Sequence, residues 1–161
     1  MKIEGNYTLT APPDRVYDLL QDPEVLARCI PGCQSLEKIG PDEYDMKMKM
    51  VLAAVSGSFA GKVKLTDHQP PAAFRLNVDG SGKIGWVKGG GVLTLSESTT
   101  VHYEGEVQIG GTIASVGQRL IDTTAKMLIK RFFSKFAKEA ANDKEAATDD
   151  GGAATSDEAT E

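Results

Sequence analysis

The stretch GGTIASVGQRLIDTTAKMLIKRFFSKFAKEA, residues 110–140, decides the fold, because the hydrophobic period changes there from two residues to 3.6. Ile113, Val116, Gly117, Leu120, Ile121, Thr124, Leu128 and Phe132 fall on one stripe. Arg119, Asp122, Lys126 and Lys130 occupy the opposite side. The spacing predicts one amphipathic helix of about 28 residues, roughly 42 Å long, ending near Ala140.

Upstream of this helix, apolar residues alternate. Ile3, Gly5, Tyr7 and Leu9 share one face of segment 2–10, and Tyr44, Met46, Met48, Met50 and Leu52 share one face of 43–54. Phe59, Gly61, Val63 and Leu65 do so in 57–67, Phe74, Leu76 and Val78 in 73–79, and Val101, Tyr103, Val107 and Ile109 in 100–109. Such a period marks half-buried strands. A shorter segment, 34–39, precedes the Gly40-Pro41-Asp42 turn, and Trp86 with Leu93 and Leu95 flanks the triple glycine 89–91, where a bulge or sharp bend is expected. Between the first strand and the rest, Pro12-Pro13-Asp14 and Asp22-Pro23-Glu24 each open a short helix, and Pro31-Gly32 closes the second.

The expected architecture is α+β. A curved seven-stranded antiparallel sheet encloses one long C-terminal α-helix, with two short helices between strands 1 and 2. A twisted sheet does not meet a straight helix along its whole length, so an apolar cavity is expected between them. The strand positions facing it are Tyr7, Met46, Met48, Met50, Phe59, Val63, Phe74, Leu76, Trp86, Leu93, Leu95, Tyr103 and Val107, and the helix adds Leu120, Thr124 and Leu128. Met46, Met48 and Met50 read either as plain core or as the adaptable wall of a pocket. Trp86 reads equally as core or as a platform for a flat ring at the cavity mouth.

Composition excludes several functions. The net charge of −5 is uneven, since residues 141–161 hold seven acids and one base. Residues 1–140 are then nearly neutral, without the basic excess of a nucleic-acid binder. The domain is expected to end at residue 140, with 141–161 a disordered acidic tail. The start, MKIEGNYTLTAPPDRVYDLL, has no apolar core of a signal peptide, and no run is long enough to span a bilayer, so the cytoplasm is the expected location. Cys29 and Cys33 lie far from both histidines, which reads as two free thiols rather than a metal site, with a regulatory disulfide as the alternative.

No Asp, Glu, Lys, Arg or His falls on the inward positions, so catalysis is not expected and no metal or cofactor is called for. His102 falls on the polar face, and His68 sits at a strand end where solvent exposure is expected. Tyr7, Tyr44 and Tyr103 are the groups able to orient a ligand carbonyl. Two surfaces are candidates for a membrane or partner enzyme. One is the glycine-rich region holding Lys83, Trp86 and Lys88. The other is the end of the long helix, where Arg131, Phe133, Lys135 and Phe136 either pack as in any helix or outrun the sheet.

The element order resembles the helix-grip arrangement of the START-like (SRPBCC), plant-allergen-like superfamily. Within it, an ordered set of strings resembles the CoxG family, the G subunit of carbon monoxide dehydrogenase. They are Ile30-Pro31-Gly32-Cys33 with Leu36, then Gly57-x-Phe59-x-Gly61-x-Val63-x-Leu65 with Asp67 and Pro70-Pro71. Asp79-Gly80-Ser81-Gly82, Thr100-x-x-Tyr103 and Gly110-Gly111-x-Ile113-Ala114-x-Val116-Gly117-x-Arg119 follow, so that residues 1–136 are covered. The resemblance implies a non-enzymatic accessory protein of a molybdenum-containing hydroxylase of the carbon monoxide dehydrogenase type. Its implied ligand is an isoprenoid quinone, menaquinone or ubiquinone, and its implied location is the inner face of the cytoplasmic membrane, visited transiently. A structural adaptor without ligand, and a cyclase-type enzyme on the same fold, are the competing readings. The acidic, apolar-poor tail departs from the membrane-engaging extension of such proteins, because anionic lipid repels it.

Overall fold

The computed structural model describes residues 1–52 and 54–148, with the backbone alone for 143–148. Seven strands run in the order β1 (Lys2–Thr8), β2 (Cys33–Gly40), β3 (Glu43–Leu52), β4 (Val55–Gln69), β5 (Ala73–Gly82), β6 (Gly85–Leu95) and β7 (Thr100–Gly110). Two short helices, α1 (Pro13–Leu19) and α2 (Pro23–Cys29), separate β1 from β2. A 3-10 turn, Thr112–Val116, and the long helix α3, Gln118–Thr148, complete the chain. All pairings are antiparallel, and the spatial order is β1-β7-β6-β5-β4-β3-β2. The chain therefore crosses between the sheet's two edges only once, through α1 and α2.

Local chemistry explains the crossing. Pro13 and Pro23 each occupy the first turn of a helix, where a missing N–H costs nothing. Asp22 caps α2, its carboxylate accepting from the Glu24 N–H at 2.9 Å. Gly32 turns the chain into β2 at φ +78°, where a Cβ would run into the Lys49 carbonyl oxygen.

The strand readings hold closely, but the expected bulge and both ends of the long helix differ. The expected bulge at Gly89–Gly91 is absent: β6 pairs in unbroken register with β5 and β7 through it. The bulges lie instead at Cys33/Ser35, Lys38/Gly40 and Thr66/Gln69. The long helix starts later than expected, because Gly117 at φ +100° breaks the chain between the 3-10 turn and Gln118. It also runs past Ala140 to Thr148, so residues 141–148 are helical rather than part of a disordered tail. Ala, Glu and Lys in that stretch favour the helix, and no Gly or Pro stops it. The remaining tail, 149–161, lies outside the described residues.

Two packed clusters hold α3 to the sheet. One gathers Leu52, Phe59, Ile113 and Ile121, with Met50, Val116 and Leu120 packed against them near the helix start. The other gathers Val16, Tyr17, Leu20 and Cys29 of α1 and α2 with Phe133, Phe136 and Ala140 near the helix's other end. Arg28 of α2 is clamped to Glu139 by two hydrogen bonds of 2.8 and 3.1 Å.

Candidate functional site

Between the two clusters lies a cavity of about 400 Å³. Its floor is the concave face of the sheet and its roof is Leu128, Ile129, Phe132 and Phe133 of α3. Leu26, Ile30 and Pro31, from α2 and the turn after it, form one wall. Of the strands, only β3 brings its backbone close to α3 at more than isolated points. The helix thus stands off the sheet.

Glycine accounts for much of the empty space. Gly89, Gly91 and Gly105 line the cavity where larger side chains would fill it. Gly91 and Gly105 are direct cross-strand partners on the concave face. A Cβ on Gly91 would lie 3.0 Å from the Gly105 Cα and 2.7 Å from the Glu104 carbonyl oxygen. The strands can curl this tightly because neither residue carries a side chain.

Of the residues expected to face the cavity, Met46, Met48, Val63, Phe74, Leu76, Leu93, Tyr103, Val107 and Leu128 line it. Phe59, Met50 and Leu120 instead belong to the cluster at the start of α3. Leu95 is core in the other cluster, with Tyr7 packed against it. Thr124 is half-buried beside the cavity but does not line it. Trp86 is corrected as a cavity or core residue. It lies 43% exposed on the outer face, its ring over Gly110. Counting in twos from Leu95 and Leu93 places Val87 inside and Trp86 outside, so the strand's own parity held the answer. The parts that alternation missed are Leu20, Leu26, Ile30 and Pro31, brought in by helix packing rather than by strand pattern.

Among the described residues, no ionised side chain points into the cavity. Glu104 is the one carboxylate residue touching the cavity, and its side chain leaves for the outer face, 3.4 Å from the Lys2 ammonium. Three tyrosine hydroxyls stand near the concave face. That of Tyr44 donates to the Gln21 carbonyl at 2.6 Å, and that of Tyr7 is 3.4 Å from Ser134 Oγ. Tyr103 makes no hydrogen bond with any described residue, and burial raises its pKa. Burial raises that of Tyr44 as well.

The remaining chemical groups lie elsewhere. His68 is not free in solvent as expected: Nδ1 is 2.9 Å from the Tyr17 hydroxyl and Nε2 is 3.0 Å from Asp42 Oδ1. Glu4, His102 and Glu104 come together on the outer face, but His102 Nδ1 is taken by Asn6 at 2.8 Å and Glu104 by Lys2. Cys29 and Cys33 are free thiols, the first buried and its pKa pushed up to about 11 by desolvation. Phe133 and Phe136 do not reach outward. They are 4% and 0% exposed, with Phe133 stacked between Tyr7 at 5.1 Å and Tyr103 at 5.7 Å. The turns of α3 that carry Phe133 and Phe136 do not present them to solvent, because α1 and α2 cover these rings. Arg131 and Lys135 are exposed beside them, and Lys83 and Lys88 are exposed near Trp86. No described helix is long and apolar enough to cross a membrane.

Comparison with known proteins agrees with this architecture. A conserved protein from Geobacillus kaustophilus has 36% identity, a TM-score of 0.84, and coverage of 88% of this chain and 96% of its own. The aromatase/cyclase Zhui from Streptomyces sp. R1128 has 15% identity and a TM-score of 0.64, over 91% of this chain and 97% of its own. TTHA0849 from Thermus thermophilus has 15% identity and a TM-score of 0.66, over 89% and 99%. These last two likenesses establish the helix-grip fold alone. No curated protein matches the sequence significantly. The model of the CoxG family, the G subunit of carbon monoxide dehydrogenase, matches residues 5–141, nearly the whole described chain, and the protein belongs to that family.

Proposed function

We propose that this chain is an accessory protein that carries an isoprenoid quinone, menaquinone or ubiquinone, in the cavity under α3. It would thereby link a molybdenum-containing hydroxylase of the carbon monoxide dehydrogenase type to the quinone pool of the inner membrane. The observation that carries this reading is the cavity itself: about 400 Å³, walled by apolar side chains and glycine, in a member of the CoxG family. That volume falls within the roughly 300–1,000 Å³ of small-molecule pockets. Each methylene-sized unit leaving water contributes about 0.8 kcal/mol, so an apolar pocket needs no charged anchor to hold a prenyl chain.

The reading is non-catalytic. A cyclase-type reaction needs an acid or base at the reacting carbon, and the cavity walls offer only tyrosines. For the membrane or partner surface, Lys83, Trp86 and Lys88 remain the better candidate. An exposed indole between two lysines suits an anionic lipid boundary. Arg131 and Lys135 could add to charge attraction, whereas Phe133 and Phe136 are withdrawn from this role by their burial.

The test is transfer. Protein incubated with menaquinone-loaded liposomes and then separated from them should retain extractable quinone and donate it to the hydroxylase as electron acceptor. Met48→Asp, which puts an unpaired carboxylate in the wall, should abolish retention. Repeated failure of the wild type to retain quinone or any lipid would leave the adaptor reading in its place.

A further inference from the structure

We infer that Tyr103 is the hydrogen-bond donor that orients the cavity's ligand, and that the site selects a neutral lipid bearing a carbonyl oxygen. This rests on the carrier reading above. Tyr44 also lines the cavity, but its hydroxyl proton is committed to the Gln21 carbonyl at 2.6 Å. Tyr7 does not line it, and its hydroxyl faces Ser134. Tyr103 lines it, and its hydroxyl, which lies over Gly5, bonds to no described residue. A half-buried hydroxyl without a partner is a standing cost that an acceptor on a ligand relieves. A phenol is protonated at neutral pH and able to donate, and desolvation raises the Tyr103 pKa further.

The ring is held in place from two sides. Its direct cross-strand partner is Gly5, where a Cβ would run into the hydroxyl and lie 2.7 Å from Cζ. Its other side stacks on Phe133 at a centroid distance of 5.7 Å. Glycine at position 5 is therefore what lets the phenol lie across β1, and Phe133 keeps it there.

The wall also rejects charge. A fatty-acid carboxylate or a phosphate head group entering beside Tyr103 would find one neutral donor and no cation, since the one charged residue touching the cavity is Glu104, already paired with Lys2 outside. Moving an anion there costs more than a single hydrogen bond returns. A ring carbonyl has no such penalty.

Calorimetric titration with decylubiquinone, decylbenzene and decanoate separates the possibilities. The wild type should bind decylubiquinone most tightly and decanoate least. Tyr103→Phe should weaken decylubiquinone by about 3–10-fold, the size of one neutral hydrogen bond, and leave decylbenzene unchanged. Retained quinone preference in Tyr103→Phe, or equal weakening of both ligands, overturns the role of Tyr103 while leaving the carrier reading standing. Decanoate binding as tightly as the quinone overturns the selection against charge. Binding of none of the three by the wild type overturns the carrier reading itself, and this inference with it.

Discussion

Beside the C-terminal half of α3, the fold is filled: Phe136 is fully buried among α1 and α2, and Phe133 lies between Tyr7 and Tyr103. Beside the middle of the same helix, the sheet presents Gly89, Gly91 and Gly105, and the space above them is empty. One helix and one sheet face thus build both a solid core and a cavity. What differs is the side chain placed on the sheet. Aromatic rings fill the distance between helix and strand, whereas glycine both opens that distance and lets the strands curl around it.

The contrast should appear first in stability. Phe136→Ala should cost about 3–5 kcal/mol in denaturant unfolding, because neighbours packed on every side cannot collapse into the hole. Leu76→Ala, which already faces empty space, should cost only about 1–2 kcal/mol. Equal costs would mean that the cavity closes in solution.

The next effect is on curvature. Gly91→Ala should destabilise by about 1–3 kcal/mol despite the void above it, since the new methyl meets the Glu104 carbonyl before it reaches the cavity. Stabilisation by this change would show that glycine is there for space alone.

These two regions also differ in how far the sequence revealed them. Where one sheet face is buried, alternation exposes it, and Met46, Met48, Leu76 and Val107 fell where the period of two placed them. At the triple glycine the same reasoning left a bulge and a sharp bend open, because a residue without a side chain shows no alternation; the register is unbroken and the strands curl there instead. Phe133 and Phe136 could not be placed because covering that part of α3 depends on how α1 and α2 dock. The helix start was misread for a local reason. Ile113 and Val116 keep helical spacing through the 3-10 turn, and the left-handed φ of Gly117 leaves no mark in the hydrophobic pattern.

Two smaller effects concern the filled end. Burial raises the Cys29 thiol from its ordinary 9.0 to about 11, so the folded state holds that proton more tightly than the unfolded one. Its contribution is fully present below pH 9 and is lost as pH rises from there through 11. Cys29→Ala should lessen this decline, the part left including that of Tyr44 and Tyr103, whose pKa burial also raises. At neutral pH, iodoacetamide should modify half-buried Cys33 before Cys29. Smallest of all, a chain ending at Ala140 keeps every core residue of both clusters and should melt within a few degrees of the full chain. A large drop would assign the last turns of α3 a packing role.

Native mass spectrometry of protein recovered from quinone-loaded liposomes reads occupancy of the cavity without a label. A neutral lipid adduct is expected, one per chain, that persists in Phe133→Leu and disappears in Leu76→Asp. A wild-type spectrum showing only the bare chain, or an adduct equally abundant in Leu76→Asp, would mean that the cavity under α3 is not where a lipid binds.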